Sequence, residues 1–168
     1  MILESFKMSC NEFTHVMDSL DNDYRDLLMN HESIKEALTP LLQDGERYRY
    51  IKGFPDYVVT DFGRVFSLRY KRSKRLNIKE LVPRKQHTHS NKFNWTYIRY
   101  NVQLISSNGK RYEKSIHRLV AEAFLDAPNP SIINPVIDHI DHNTSNNKYT
   151  NLRWLSKSEN SRNILRLK

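Results

Sequence analysis

Residues 136–163 restrict the fold more than any other stretch. The chain passes there from a short apolar run to a polar one, back to a short apolar run, and then to a helix-start signal. Val136 to Ile140 follows two prolines and reads as a strand. Residues 141–150 are almost all Asn, Asp, Ser, Thr, His or Lys, which predicts a loop. Leu152 to Leu155 reads as a second strand. Ser156 and Glu159 have the spacing of a capping box, an acceptor side chain at the N-cap and a Glu three residues on. A helix from about Lys157 to Arg166 is expected to follow. The unit is therefore strand, polar loop, strand, helix.

The same stretch carries a chemistry. Hydrolysing a phosphodiester needs an activated water, charge neutralisation on the phosphate and help for the leaving oxygen. A divalent cation supplies the last two, and a neutral imidazole beside it can take the proton from water. Asp138 and Asn160 both offer oxygen ligands, which suit Mg²⁺ or Mn²⁺ better than Zn²⁺. His139 adjoins Asp138 on the strand, so a regular strand points the two side chains to opposite faces. A strand end or a bulge is needed to bring both into one site.

With these residues in place, the segment resembles the HNH (ββα-metal) nuclease motif of phage intron-encoded and free-standing homing endonucleases. The resemblance implies that His139 is the general base and Asp138 a metal ligand. It implies that Asn151 braces the loop and that Asn160 is the final ligand, with one Mg²⁺ or Mn²⁺ per site. The separation of 22 residues between Asp138 and Asn160 suits the family. A Gly is common in the family where this chain has His142. If that position needs a positive φ, His is strained there, and its role stays open between ligand, DNA contact and neither. Asn163 lies one turn from Asn160 on the same helix face, as a support for the site or as a solvated residue. Trp154 is expected in the core. Arg153 and Arg162 can neutralise a phosphate or lie on a solvated face.

Composition supports a polyanion as partner. Of the formal net charge of +8, residues 1–45 contribute −6, from nine acids and three bases, and the remainder +14. A polyanion would bind the second part and avoid the first. Charge alone would equally suit RNA or a membrane surface; the nuclease motif favours double-stranded DNA. Hydrophobic content of 38% and a mean hydropathy of −0.72 allow modest cores. A single cysteine, Cys10, excludes a disulfide framework and a Cys-based zinc site within the chain. No signal peptide or long apolar run is visible, so a cytoplasmic protein with no membrane association is expected.

Before the nuclease unit, residues 11–42 carry apolar side chains near helical spacing, and two or three short helices are predicted, with Ser33 capping the last and Pro40 limiting it. Their apolar stripe reads as packing surface, with a protein partner as the alternative. Tyr57–Thr60 and Arg64–Leu68 flank Asp61-Phe62-Gly63, a hairpin signal. Residues 51–67 resemble a short module that often precedes HNH motifs in these phage enzymes, through Phe54, Tyr57, Gly63, Arg64, Val65 and Ser67. Residues 69–92 read as a basic connection that tracks phosphate, including Arg69, Lys71, Arg72, Lys74, Arg75, Arg84 and Lys85. Tyr97 to Leu104 alternates as a strand. One face presents Arg99, Asn101 and Gln103, side-chain types that pair with guanine and adenine edges. An ordinary exposed sheet face would look the same. Asn108-Gly109 marks a tight turn, and Ile116 to Phe124 an amphipathic helix, with His117 at its border. Three prolines mark residues 126–135 as a linker.

The expected fold class is α+β, in three parts: an acidic helical segment over 1–45, a β-rich basic DNA-binding module over 46–125, and a linker with the ββα-metal motif over 126–168. The function so implied is site-specific, metal-dependent cleavage of double-stranded DNA by a monomer that nicks one strand. The rivals are a relaxed-specificity HNH nuclease of phage DNA processing or packaging, and a catalytically dead DNA-binding regulator.

Overall fold

A computed structural model of the chain describes residues 31–68, 76–90 and 95–165. The helices expected before residue 31 lie outside the described residues. The chain divides between Leu41 and Leu42 into two compact units.

In the first unit, residues 31–38 are helical (α1). Ser33 lies within this helix and does not begin it. The helix stops before Thr39-Pro40, where proline cannot continue the hydrogen-bond ladder, and a 3₁₀ turn, Thr39–Leu41, follows. The Thr39 hydroxyl donates to the Lys35 carbonyl at 2.7 Å and satisfies one of the free carbonyls of the last turn.

Among its described residues, the second unit holds three antiparallel sheets. The first has strand order β1-β2-β3-β4: β1 Tyr48–Ile51, β2 Phe54–Thr60, β3 Val65–Ser67 and β4 Lys79–Glu80. The expected hairpin is β2–β3. Gly63 takes φ +87 in its turn, a left-handed conformation that Gly adopts without a Cβ clash. The second sheet has order β5-β6-β7, with β5 Arg84–Ser90, β6 Trp95–Ile105 and β7 Arg111–Ser115. The third is the two-stranded pair β8 Val136–His139 and β9 Leu152–Leu155. Helix α2 is Ile116–Phe124 and helix α3 is Lys157–Leu165.

One core serves all three sheets. Ile51, Tyr57, Val59 and Val65 come from the first sheet, Val102 and Leu104 from β6, Leu119 and Val120 from α2, and Leu152 from β9. Each such side chain adds about 1.5–3 kcal/mol by leaving water. The Ile105 N–H donates to the Tyr57 hydroxyl at 3.2 Å and ties the first two sheets together. The boundary drawn at 125/126 from the prolines therefore does not separate two cores: Leu152 of the nuclease hairpin packs in the same cluster as Val59 of the upstream module.

The basic connection over 69–92 also needs correction. Two strands, β4 and β5, lie within it. β5 is an edge strand that pairs with β6 along its whole length, from Arg84↔Asn101 to Ser90↔Trp95. Its residues through His87 are exposed. A strand wet on both faces shows no apolar alternation, so its only signal is its partner.

No helix among the described residues is long and apolar enough to cross a membrane.

Candidate active site

The site is built on the β8–β9 hairpin. The register is regular, Asp138 opposite Arg153 and His139 opposite Leu152. Asp138 is only 6% exposed. A buried carboxylate needs a partner, and Arg153 supplies it: its Nε and Nη2 donate to Asp138 Oδ2 at 2.9 and 2.7 Å. Oδ1 has no hydrogen-bond partner among the described residues. Arg153 thus stands on a carboxylate rather than on an open face. His139 is the last residue of β8, at the strand end.

The polar loop between the strands is held from inside. The buried Asn151 sits in a 3₁₀ turn, Tyr149–Asn151. Its Oδ1 accepts from the Asp141 N–H at 3.0 Å, and its Nδ2 donates to Asp141 Oδ1 at 2.8 Å and to the Asn146 carbonyl at 2.9 Å. These bonds close the loop on itself. Hydrogen bonds from Asn146, Asn143 and Asn151 hold the Asp141 carboxyl below its ordinary range. His142 takes φ 60, the left-handed region, and its N–H closes a turn onto the His139 carbonyl at 2.9 Å. Its side chain is exposed. The family's usual Gly at this place matches that backbone, which a His adopts at a cost.

His139 has two neighbours that no motif named. Its Nε2 lies 3.1 Å from Asn147 Oδ1. Its ring centroid lies 5.5 Å from that of His117, on α2. Burial, and then the nearby His139, Arg99 and Arg118, push His117 down to about 4 from the usual 6.5, so His117 is neutral at physiological pH. The only sequence signal for His117 was its place at the edge of the α2 apolar stripe.

α3 closes the unit. Its capping box is complete: Ser156 Oγ accepts from the Glu159 N–H at 3.2 Å, and Glu159 Oε2 accepts from the Ser156 N–H at 2.8 Å. The Ser156 hydroxyl also donates to Glu159 Oε2 at 2.6 Å, and this bond, with the one from the Ser156 N–H, lowers the Glu159 carboxyl. α3 packs on β8, the strand of Asp138. Asn160 and Asn163 are half-buried, whereas Arg162 is exposed at a shallow surface depression it shares with Ser131 and Ile133.

Among the described residues, no three His, Cys, Asp or Glu side chains gather as a metal site. The donor set read from the sequence is a different kind, one carboxylate and one carboxamide. Hard oxygens of this sort suit Mg²⁺ or Mn²⁺, with water and phosphate completing the coordination. The unpartnered Asp138 Oδ1 suits that set.

Residues 114–162 match the family model described as HNH endonuclease. Those residues form an HNH endonuclease domain. Two uncharacterized HNH endonucleases of Acanthamoeba polyphaga mimivirus are similar to the chain. One is 36% identical over 105 residues, 62% of this chain and 26% of that protein. The other is 30% identical over 110 residues, 66% of this chain and 23% of that protein. The chain thus spans about a quarter of the length of these relatives. A solved structure, "DNA binding and cleavage by the HNH homing endonuclease I-HmuI", is 27% identical and covers 71% of this chain and 58% of its own, with a TM-score of 0.49.

The HNH domain begins within β7, so the face of β6 expected to contact DNA adjoins it. Arg99 and Gln103 are exposed on that face. Asn101 is not: it is 4% exposed, and its Nδ2 donates to Gln86 Oε1 at 2.8 Å. It is flanked by β5 and β7 in mid-sheet, so it fills the space between its neighbours and presents no edge to a base. Arg84 and Lys85 are exposed at the start of β5. Arg69, Lys71, Arg72, Lys74 and Arg75 lie outside the described residues.

Proposed function

We propose that the chain is a site-specific, metal-dependent DNA endonuclease that nicks one strand of duplex DNA. The observation that carries this reading is the HNH domain match over 114–162 together with an intact set of Asp138, His139, Asn151 and Asn160 on a strand–loop–strand–helix unit.

His139 removes the proton from a water, and the resulting hydroxide attacks phosphorus in line. The bond from phosphorus to the 3′ oxygen breaks with its electron pair going to that oxygen, which gives 5′-phosphate and 3′-hydroxyl ends. Asp138 and Asn160 would hold Mg²⁺ or Mn²⁺, which when bound neutralises the phosphate and helps the leaving oxygen. Asn151 keeps the loop closed so that His139 stands at a fixed strand end. Arg99, close enough to act electrostatically on His117, would bring positive charge to the same edge. One site cuts one strand, so a monomer nicks. The exposed Arg99 and Gln103 support sequence preference, because their side chains are suited to base edges.

The test is plasmid nicking with Mg²⁺ and with EDTA, on the full chain and on His139→Ala, Asp138→Ala and Asn160→Ala. His139→Ala is expected to lose ~10²–10⁴ in rate with DNA affinity kept. The two ligand variants should lose Mg²⁺-dependent nicking, partly recovered by more Mg²⁺ or by Mn²⁺. Full activity in EDTA, or near-normal cleavage by His139→Ala, would overturn the reading. Cleavage of a genomic library then separates a site-specific from a relaxed enzyme.

A further inference from the structure

Three consecutive residues of the β2–β3 turn meet three consecutive residues of the nuclease loop in antiparallel order. The Asp61 carbonyl accepts from the Tyr149 N–H at 2.8 Å. The Phe62 ring lies under the Lys148 ammonium, 4.5 Å from its centroid. A Cβ built on Gly63 would stand 2.8 Å from Asn147 Cβ and 3.1 Å from its carbonyl oxygen. Real Cβ atoms do not approach so closely, so Gly63 is required for the contact as well as for its φ of +87. Arg47 reinforces the seat: it donates to both carboxylate oxygens of Asp61 and lies 5.0 Å from the Tyr149 ring centroid.

Asn147, seated there, is 7% exposed, and its Oδ1 is the atom 3.1 Å from His139 Nε2. A carboxamide oxygen only accepts hydrogen bonds. The imidazole nitrogen facing it must therefore carry the proton, which leaves Nδ1 with the lone pair. We infer that the Asp61–Gly63 turn and Asn147 are positioning devices for the general base, holding His139 as the Nε2–H tautomer with Nδ1 free to take the proton from water. This rests on the reaction proposed above. It adds that the base is oriented from residue 63, which lies outside the matched stretch of 114–162.

The experiment uses the full chain. Imidazole ¹⁵N NMR, recorded without DNA, reads the His139 tautomer directly, with His139→Gln assigning the signal. The wild type should show Nε2 protonated and Nδ1 bare. Asn147→Asp, which keeps the acceptor, should hold that tautomer, whereas Asn147→Ala should give a mixture. In single-turnover cleavage at saturating DNA, Asn147→Ala should lose about 10- to 100-fold in rate with affinity unchanged, the range found where groups orient a metal-bound imidazole. Gly63→Ala should lose a comparable factor, and the double variant no more than either single one. If Gly63→Ala does not fold, Phe62→Ala takes its place, since it removes the Phe62–Lys148 contact of the same seat without adding a Cβ beside Asn147. A single tautomer retained in Asn147→Ala, or losses that multiply in the double variant, would overturn the inference. The reaction itself is judged separately by His139→Ala: normal cleavage there removes the general-base role from His139 and leaves the tautomer result standing.

Discussion

Arg153 places two of its nitrogens on one oxygen of Asp138 and leaves the other oxygen bare. In the proposed reaction that carboxylate is also a cation ligand, so arginine and cation share it. Arg153→Ala would leave a buried carboxylate with no ion partner, at a cost of about 1–3 kcal/mol in metal-free buffer. Added Mg²⁺ should then stabilise the variant more than the wild type, because binding to the folded state shifts unfolding by mass action. Urea unfolding with and without Mg²⁺ measures this. An equal gain in both proteins would mean that Arg153 and the cation do not meet at Asp138.

A second prediction concerns pH. His117 titrates at about 4 in the folded protein and near 6.5 when unfolded. The unfolded chain therefore binds the extra proton first as pH falls. The stabilisation from burying His117 neutral is complete above about 6.5 and is lost as pH drops from there through 4. His117→Gln should flatten this slope. Urea midpoints at several pH values between 7 and 4 are the measurement, and an unchanged slope in the variant would assign the acid sensitivity elsewhere.

The face of β6 divides into two kinds of residue. Arg99→Ala and Gln103→Ala should relax sequence preference, by roughly 1–3 kcal/mol for each lost bidentate pair. Asn101→Ala should instead lower stability by about 1 kcal/mol, through the lost bond to Gln86, and leave preference unchanged. Binding to target and scrambled duplexes, with unfolding run in parallel, separates the two. Equal weakening on both duplexes by Arg99→Ala and Gln103→Ala would mean that this face grips phosphate only.

Removal of the first unit should help nonspecific binding. Residues 1–41 hold eight acids and three bases, net −5, and the division falls just after them. A chain starting at Leu42 is expected to nick DNA and to bind random duplex at least as tightly as the full chain. The gain should be largest at low salt, where the Debye length reaches ~30 Å at 0.01 M. Circular dichroism checks that the fragment folds; a folded fragment with weaker low-salt binding would place residues 1–41 in the DNA interface.

The ββα unit was legible because its signals are local. Ser156 and Glu159 are three residues apart and bond each other. Asn151 reaches only ten residues back, to Asp141. The positive φ at His142 falls at the one family position where Gly is usual. What stayed hidden is what depends on distant partners. β5 is polar on both faces and exists because β6 lies beside it. Asn101 looked like its exposed neighbours Arg99 and Gln103 because alternation gives the face and not the depth. Gly63 could be read as a turn residue, but its fit against Asn147 joins positions 84 residues apart, and no spacing rule spans that gap.

β7 ends at Ser115 and α2 begins at Ile116, with no loop residue between them. α2 then packs on β8 and β9, the strands that carry Asp138 and His139. Such a joint has no slack. Whatever the β5–β6–β7 sheet grips stands at a set offset from the imidazole of His139, as a workpiece clamped to the same bed as the blade. In the proposed reaction, an insertion at this joint would change where the chain cuts before it changed whether it cuts.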